Sequence, residues 1–258
     1  MMYPPLPKPA VIAHRGASAH APENTLAAFE LALKQGADAI EMDVDLCQDG
    51  HLIVIHDRSV DRTTESSGFV SDMPLSALKE LDAGSHFDIA FRGESIPTLD
   101  EAFELIGKRA VINIELKRSA APVERLAEKV AISILRHGLL GSVIVSSFYP
   151  LLLRSLRKIL PDVALGLLTL RGFKGAMLRS RLGAIVAPHH ALHPDFRDVT
   201  PWLVKQVQRA GRRLNAYTVN APSDIVWLIN LGIDGIITDD PLMARRVIQS
   251  ASPILNTS

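Results

Sequence analysis

The chain has 258 residues, 47% of them apolar, so it can bury one large core or two small ones. Its 28 basic residues balance its 28 acidic residues, so no overall field attracts it to nucleic acid or to an anionic membrane, and any anion binding must be local. The single cysteine, Cys47, cannot form an intrachain disulfide, so the fold does not depend on oxidation.

The N-terminal stretch MMYPPLPKPAVIAHRG lacks the charged start and the apolar core of a secretory signal. No run of about eighteen apolar residues follows, so we expect no membrane span. These observations predict a cytoplasmic protein and leave its oligomeric state open.

Short apolar segments rich in β-branched residues recur along the chain and are predicted to be strands. In chain order they cover residues 11–13, 39–44, 52–55, 111–114, 143–145, 164–168, 184–186, 217–219 and 233–237. The segment at 164–168 has the weakest pattern. Segments with helical periodicity lie between most of these strands.

Three helix starts are marked by capping residues. The first helix is predicted from residue 24 to residue 35, with Asn24 or Thr25 as its cap. A second helix opens at Thr98, which has capping-box spacing to an acidic residue three positions later. A third begins near Asp240, where the next residue is a proline suited to the first helical position.

Continuous apolar strands that alternate with helices indicate an α/β fold with a parallel sheet covered by helices. About eight strand and helix pairs in a chain of this length favour a closed (β/α)8 TIM barrel. A doubly wound open sheet is the alternative. Residues 57–97 interrupt the alternation and are interpreted as an insertion above one end of the barrel. We therefore expect a single domain over residues 1–258 that carries this insertion.

Polar residues that follow apolar strands are the candidates for chemistry, because the active site of such a barrel forms where strands end and loops begin. Five groups hold positions of this kind. They are His14 with Arg15, Glu41 with Asp43, His56 with Asp57, Glu115 with Lys117, and His189 with His190.

The carboxylates suggest a metal site. Glu41 and Asp43 are two positions apart on a strand, so both point to the same side, here into the barrel. Two like charges there need a cation, and Glu115 on the predicted neighbouring strand would add a third carboxylate. Such a set suits Mg²⁺ or Ca²⁺ better than zinc. Arg15 and Lys117 would neutralise the remaining charge of a phosphate bound to the ion.

Each candidate also has a purely structural interpretation. A histidine such as His14 at a strand end is more often a hydrogen-bonded structural residue than a catalyst. The carboxylate pair could bond to arginine or backbone, and His189 and His190 fit an ordinary loop better than a ligand set. Asp239 and Asn24 fit helix caps. Five strand ends would have to gain catalytic residue types independently, however, and this coincidence favours a site.

Five segments of the sequence carry a resemblance to a known family. They are HRGASAHAPENTLAAFELALKQGADAIEMDVDLCQDGHLIVIHD at 14–57, DRTT at 61–64, GESIPTLDEAF at 93–103, NIELK at 113–117 and GIDGIITDDP at 232–241. Together they closely resemble the glycerophosphodiester phosphodiesterase family over nearly the whole chain. One departure from the family pattern is Tyr217, which stands where tryptophan is usual and is expected to line the pocket for the alcohol group.

The resemblance implies a (β/α)8 barrel with a small insertion after the second strand, and it implies roles for seven residues. These are His14 and His56 as general acid and base, Glu41, Asp43 and Glu115 as ligands of one divalent cation, Mg²⁺ or Ca²⁺, and Arg15 and Lys117 as phosphate contacts. Glu23 is implied in a supporting role near the metal. The implied reaction converts glycerophosphocholine, glycerophosphoethanolamine and similar small molecules to sn-glycerol 3-phosphate and an alcohol. The nucleophile is water or the neighbouring glycerol hydroxyl.

Two other functions are compatible with parts of the pattern. A lysophospholipase D or sphingomyelinase D-like activity would keep the same barrel and accept a lipid chain. It would need an apolar or membrane-facing surface around the insertion, where the sequence contains no basic amphipathic stretch. A barrel that has lost catalysis and only binds partners would show damage among the histidines or the ion ligands, and all of them are present.

Overall fold

The computed structural model of the protein describes residues 3–117 and 122–255, and within them the chain forms a closed parallel barrel. The strands are β1 (Ala10–Ala13), β2 (Ala39–Leu46), β3 (Leu52–Val54), β4 (Val111–Leu116), β5 (Val143–Ser147), β6 (Ala164–Thr169), β7 (Ala191–Pro194), β8 (Arg213–Ala216) and β9 (Gly235–Thr238). Parallel pairing runs from β1 through β9, β8, β7, β6, β5 and β4 to β2, and the pairing of β1 with β2 closes the ring. The predicted (β/α)8 barrel is confirmed and the open sheet is excluded.

Helices connect the strands around the outside of the ring. They are α1 (Leu26–Lys34), α2 (Leu75–Lys79), α3 (Leu99–Ile106), α4 (Val123–Arg136), α5 (Pro150–Ile159), α6 (Phe173–Arg179), α7 (Arg181–Val186), α8 (Pro201–Arg209), α9 (Pro222–Leu231) and α10 (Pro241–Leu255). Short 3-10 turns cover Val70–Asp72, Ile89–Phe91, Leu140–Ser142 and Phe196–Asp198.

The helix starts marked in the sequence agree with the structure. Thr98 caps α3 in a complete capping box, and α10 begins at Pro241. Of the two candidates for the cap of α1, Thr25 is the cap, because its hydroxyl accepts a hydrogen bond from the backbone amide three residues later. Asn24 has a different role, described below.

Two apolar layers hold the barrel together. The outer layer lies between the strands and the helices and contains the fully buried rings of Phe29 and Phe103. The inner layer fills the ring itself with side chains that include Ile12 and Ile144, and Tyr3 packs against it. Because the interior is filled, polar side chains at the carboxyl ends of the strands can gather only at the mouth of the barrel.

The predicted insertion after the second barrel strand is confirmed. β3 folds back against β2 as an antiparallel partner, and the chain between β3 and α3 carries α2 and two of the 3-10 turns. This segment has a small core of its own, to which Val60, Leu78 and Ile96 belong. It is therefore packed structure and not an open loop.

Two predicted strands are wrong. Residues 184–186 belong to α7, and the seventh barrel strand comes later, at β7. Residues 217–219 follow β8 instead of forming it. Both strands were missed for one reason: His193 of β7 and Asn215 of β8 are fully buried, and their side chains bond to each other at 3.1 Å. Polar residues that bond to each other inside a barrel break the apolar pattern by which strands are recognised.

Candidate active site

A cavity of about 160 Å³ opens at the carboxyl ends of the barrel strands. Six of the seven residues predicted for the site line it: His14, Arg15, Glu41, His56, Glu115 and Lys117. The seventh, Asp43, lies beside the cavity, where it is buried and contacts both Arg15 and Lys117. Residues from four separate strand ends therefore meet at one place.

The three carboxylates come together through the pairing of β2 with β4. Asp43 lies directly opposite Glu115 in the register of these parallel strands, and Glu41 lies two residues earlier on β2. All three are buried, and one oxygen from each lies within 4.8 Å of the others. A set of buried oxygen donors at this spacing fits a hard divalent cation.

The electrostatics of the cluster also fit a cation. Burial and the neighbouring charge of Asp43 raise the pKa of Glu41 to about 8. Burial alone would raise the pKa of Asp43 too, but Lys117 and Arg15 outweigh it and lower that pKa to about 2. Oε1 of Glu41 is buried and has no hydrogen-bond partner among the described residues. A bound ion would satisfy this oxygen and stabilise the ionised form.

Two cations of the protein border the carboxylates. Nζ of Lys117 lies 2.7 Å from Glu115 and 3.1 Å from Asp43. Nε of Arg15 lies 3.3 Å from Asp43, and its backbone amide donates to Glu41 at 2.9 Å. The next residue, Gly16, has a positive φ, and a Cβ there would lie 2.7 Å from the backbone of α1, so only glycine lets the HRG turn pack against this helix.

Each histidine at the cavity is held by an aspartate. Nδ1 of His14 lies 2.6 Å from Asp239, and Nδ1 of His56 lies 2.6 Å from Asp57. Both contacts leave Nε2 as the ring nitrogen available to a substrate. Such pairing fixes the orientation of the imidazole. An ionised aspartate also holds a proton of the imidazole on Nδ1.

The two histidines differ in acidity. Burial would lower the pKa of His14, but the Asp239 hydrogen bond and the charge of Glu41 outweigh it and raise that pKa above its usual value. Burial lowers the pKa of His56, and this effect together with Lys117 outweighs the opposing charge of Asp43. The site thus holds one histidine that favours the protonated form and one that favours the neutral form.

A chain of ion pairs links the two sides of the mouth. Arg62, from the insertion, donates to Asp57 at 2.6 Å and to Glu23 at 2.7 Å. Glu23 also accepts from Arg15 at 2.8 Å. The aspartate behind His56 is therefore tied to the arginine beside the carboxylates. Glu23 acts on Arg15 and is not one of the three clustered carboxylates.

The sequence predicts Asn24 as a helix cap, but in the structure it faces the carboxylates. Its side-chain amide donates to Asp43 at 2.9 Å, and its carbonyl oxygen accepts from the backbone of Asp43 at 3.3 Å. It adopts a positive φ, which asparagine tolerates better than most residues. The adjacent Thr25 is the cap of α1. Thr25 therefore stabilises the helix, and Asn24 holds a carboxylate of the site.

The remaining histidine group does not join the site. His189 and His190 precede β7, so they lie at the amino ends of the strands, opposite the cavity. The backbone amide of Leu165 donates to Nδ1 of His190 at 2.9 Å, and Nδ1 of His189 bonds to a backbone carbonyl. The structural interpretation is correct for this pair, and its placement after a strand was wrong because residues 184–186 are helical.

Comparison with known proteins gives the family. The model of the glycerophosphoryl diester phosphodiesterase family matches residues 14–243. The chain belongs to that family. A glycerophosphodiester phosphodiesterase of Caldanaerobacter subterraneus subsp. tengcongensis is 44% identical to it over 235 residues, which are 91% of this chain and 95% of that protein. One from Bacillus subtilis is 34% identical over 250 residues, 92% of this chain and 85% of that protein.

Solved structures of the family share the fold. A phosphodiesterase of Oleispira antarctica, in complex with the product sn-glycerol-3-phosphate, has a TM-score of 0.84 and 33% identity, covering 94% of this chain and 97% of that one. A glycerophosphodiester phosphodiesterase of Agrobacterium tumefaciens has a TM-score of 0.81 and 32% identity, covering 92% and 99%.

Membership of the glycerophosphoryl diester phosphodiesterase family confirms both the resemblance carried by the motifs and the expected enzyme class. The non-catalytic alternative is set aside. Within the described residues, every helix is too short or too polar to cross a bilayer.

Proposed function

We propose that the protein hydrolyses glycerophosphodiesters such as glycerophosphocholine and glycerophosphoethanolamine to sn-glycerol 3-phosphate and an alcohol. The observation that carries the proposal is the pairing of His14 with Asp239 and of His56 with Asp57 at one cavity that also holds three clustered carboxylates. Phosphodiester hydrolysis needs a base, an acid and charge neutralisation, and this arrangement supplies all three.

In this proposal the carboxylates of Glu41, Asp43 and Glu115 hold one Mg²⁺ or Ca²⁺ ion, which when bound polarises a phosphate oxygen. Arg15 and Lys117 neutralise the remaining phosphate charge. Both are half-buried, with side-chain exposures of 17%, so their charges act where water screens them less than at an open surface.

The pKa directions favour one division of labour between the histidines. His56, whose pKa is lowered, starts neutral, and its Nε2 takes the proton of the attacking water or of the neighbouring glycerol hydroxyl. His14, whose pKa is raised, starts protonated, and its Nε2 gives that proton to the oxygen of the leaving alcohol as the P–O bond breaks. An alkoxide leaves poorly without this proton.

Apolar side chains form one wall of the cavity and suit the alcohol group. The rings of Phe148 and Tyr217 meet edge to face, with centroids 5.8 Å apart. The hydroxyl of Tyr217 donates to a backbone oxygen of β6 at 2.8 Å, so its ring stays fixed beside the cavity. Aromatic faces attract a quaternary ammonium. We therefore expect Phe148→Ala to raise KM for glycerophosphocholine more than for glycerophosphoglycerol.

The deciding experiment measures release of sn-glycerol 3-phosphate from glycerophosphocholine with Mg²⁺, Ca²⁺ or EDTA. Metal-dependent release that is lost in His14→Ala and His56→Ala, with circular dichroism unchanged, supports the proposal. Absence of release with either ion from the folded parent would overturn it, and lysophospholipids would be the next substrates to assay.

A second substrate separates the two histidines. A glycerophosphodiester of p-nitrophenol has a leaving group that needs no proton. We expect His14→Ala to recover most of the parental rate on this substrate, because only the acid is missing, and His56→Ala to stay inactive. Recovery by His56→Ala instead would reverse the assignment of acid and base.

A further inference from the structure

The side of the barrel formed by α6, α7 and the start of α8 exposes a group of large apolar side chains. We call them the apolar patch: Leu170, Phe173, Met177, Leu182, Ile185 and Trp202. Phe173 is 96% exposed and Trp202 is 68% exposed. Phe173 and Met177 are four positions apart on α6, and Leu182 and Ile185 are three apart on α7, so each pair shares one helix face. Exposure of several large apolar side chains on neighbouring helices is a mark of an interaction surface.

The patch begins at the rim of the active site. Leu168, near the carboxyl end of β6, lines the catalytic cavity, and Leu170 is the first residue after that strand. Trp202 is the second residue of α8, at the end of this helix that follows the carboxyl end of β7. The end of the patch formed by Leu170, Phe173 and Trp202 therefore lies next to the mouth of the barrel, whereas Leu182 and Ile185 on α7 lie towards the amino ends of the strands.

Polar contacts brace the loop that presents the patch. The guanidinium of Arg179 donates to the backbone oxygens of Leu170 and Gly172 at 2.7 Å each. It also pairs with Asp198 at 3.0 Å, and Asp198 accepts from the backbone amide of Gly172 at 2.8 Å. The exposed position of the adjacent Phe173 is thus built into the fold, because the loop before it is tied on both sides.

The same region carries the positive charge of an otherwise neutral chain. Residues 163–223 contain nine basic residues and only two acidic ones, Asp195 and Asp198. Both aspartates are paired with arginines of the region. Among the residues that the structure describes, the exposed side chains of Lys174, Lys205 and Arg209 have no ion-pair partner. Unpaired cations therefore lie on α6 and α8, two of the helices that carry the apolar patch.

A groove of about 580 Å³ adjoins the patch at Trp202, the one patch residue that lines it. Its walls come from α6 and α7 on one side and α8 on the other, and its lining includes Trp202, Lys205, Arg209 and Arg212. Trp202, Lys205 and Arg209 thus share one side of α8, so an apolar ring and two cations face the same way, as they do on helices that lie in the interface of a bilayer.

We propose that this face docks on an anionic lipid surface. Phe173 and Trp202 enter the boundary between head groups and acyl chains, while Lys174, Lys205 and Arg209 contact the lipid phosphates. A second copy of the chain is a poorer occupant, because a twofold contact would set the same cationic face against itself. The proposal does not rest on the reaction proposed above, and it would bring the entrance of the barrel close to diesters at a membrane.

Sedimentation with lipid vesicles tests the proposal on the full chain. The vesicles are phosphatidylcholine alone or phosphatidylcholine with phosphatidylglycerol in a ratio of three to one. The test variants are Phe173→Ser/Trp202→Ser and Lys174→Glu/Lys205→Glu/Arg209→Glu. The matched control is Phe69→Ser/Lys108→Glu, which changes an exposed aromatic and an exposed lysine outside the region. Circular dichroism and thermal melting show whether each variant is folded.

We expect the parent and the control to bind anionic vesicles and not neutral ones. Reversal of three charges is expected to weaken binding at least about tenfold, since each basic residue near such a surface contributes severalfold. Equal binding by all variants, or no binding of the folded parent to anionic vesicles, overturns the proposal. A parent that elutes as a dimer, becomes monomeric in the apolar variant and ignores vesicles would assign the patch to a second copy instead.

Discussion

Asp239 bonds to Nδ1 of His14 at 2.6 Å although 225 positions separate them in the chain. The contact exists because closure of the barrel places the end of β9 beside the end of β1. Asp239→Asn should therefore lower the pKa of His14, since the largest favourable influence on its protonated form is this hydrogen bond. If His14 is the acid, the alkaline limb of the pH profile of kcat/KM moves to lower pH, and kcat falls at least about tenfold.

The neighbouring Asp240→Asn is the matched control for this experiment. Asp240 accepts a hydrogen bond from the first turn of α10 and pairs with His20, so its loss should reduce thermal stability and leave both limbs of the pH profile in place. A profile that is unchanged in Asp239→Asn would show that Asp239 does not tune His14.

Removal of one carboxylate should have opposite effects on the metal-free and the metal-bound protein. Without the ion, Glu41 must take up a proton when the chain folds at neutral pH, because its pKa is raised to about 8. Glutamine needs no proton, so the metal-free Glu41→Gln variant should melt at a higher temperature than the parent at pH 7. It should also lose most of the stabilisation that Mg²⁺ or Ca²⁺ gives the parent, which is about 2.7 kcal/mol when the ion is at one hundred times its Kd. Thermal scans with and without EDTA measure both effects, and Glu104→Gln on the exposed side of α3 is the control.

The raised pKa of Glu41 also predicts how ion binding depends on pH. The metal-free folded protein keeps a proton on Glu41 up to a pH of about 8, whereas the unfolded chain releases it at the ordinary carboxyl pKa. This contribution to stability is complete below the ordinary pKa and is lost as pH rises towards 8. Ion binding displaces the proton, so affinity should rise with pH through this window. Calorimetry in buffers of different ionisation enthalpy should detect about one proton released per ion, and Glu41→Gln should abolish this release.

Lys117 should separate ion binding from catalysis. Its ammonium lies between Asp43 and Glu115, two of the proposed ion ligands. Lys117→Met removes a cation that competes with the ion, so the ion should bind several times more tightly. The same change removes a charge that neutralises the phosphate, so kcat/KM should fall about a hundredfold. Weaker ion binding together with slower turnover would show that Lys117 supports the carboxylates instead of competing for them.

The sequence allowed the carboxylate cluster to be predicted because its geometry is local to two strands. Glu41 and Asp43 share a side of β2 through the two-residue period, and Asp43 meets Glu115 through the register of neighbouring strands. The partners of the histidines depend on tertiary closure instead. Asp239 fitted a helix cap, and no spacing rule connects β9 with β1 before the ring is known to close.

The two misplaced strands have a related physical cause. Strand recognition from sequence assumes that the barrel interior is apolar, and β7 and β8 violate this assumption with a bonded pair of polar residues, His193 and Asn215. Burial lowers the pKa of His193 to about 3, so its ring is neutral and can remain in the interior. Because the apolar run at 184–186 has the expected strand pattern and β7 does not, the sequence predicts the seventh strand at a segment that is helical.

Asn24 and Thr25 offer a direct comparison of site chemistry with helix stability. Asn24→Ala removes both side-chain bonds to Asp43, so we expect the ion to bind about ten to one hundred times more weakly, as for other residues that orient a ligand. Thr25→Ala removes only the cap of α1 and should cost about 1 kcal/mol of unfolding free energy with little change in ion affinity. Urea unfolding and ion titration on both variants make the comparison. If ion affinity fell equally in both, Asn24 would act through the helix, and its contacts with Asp43 would not matter for binding.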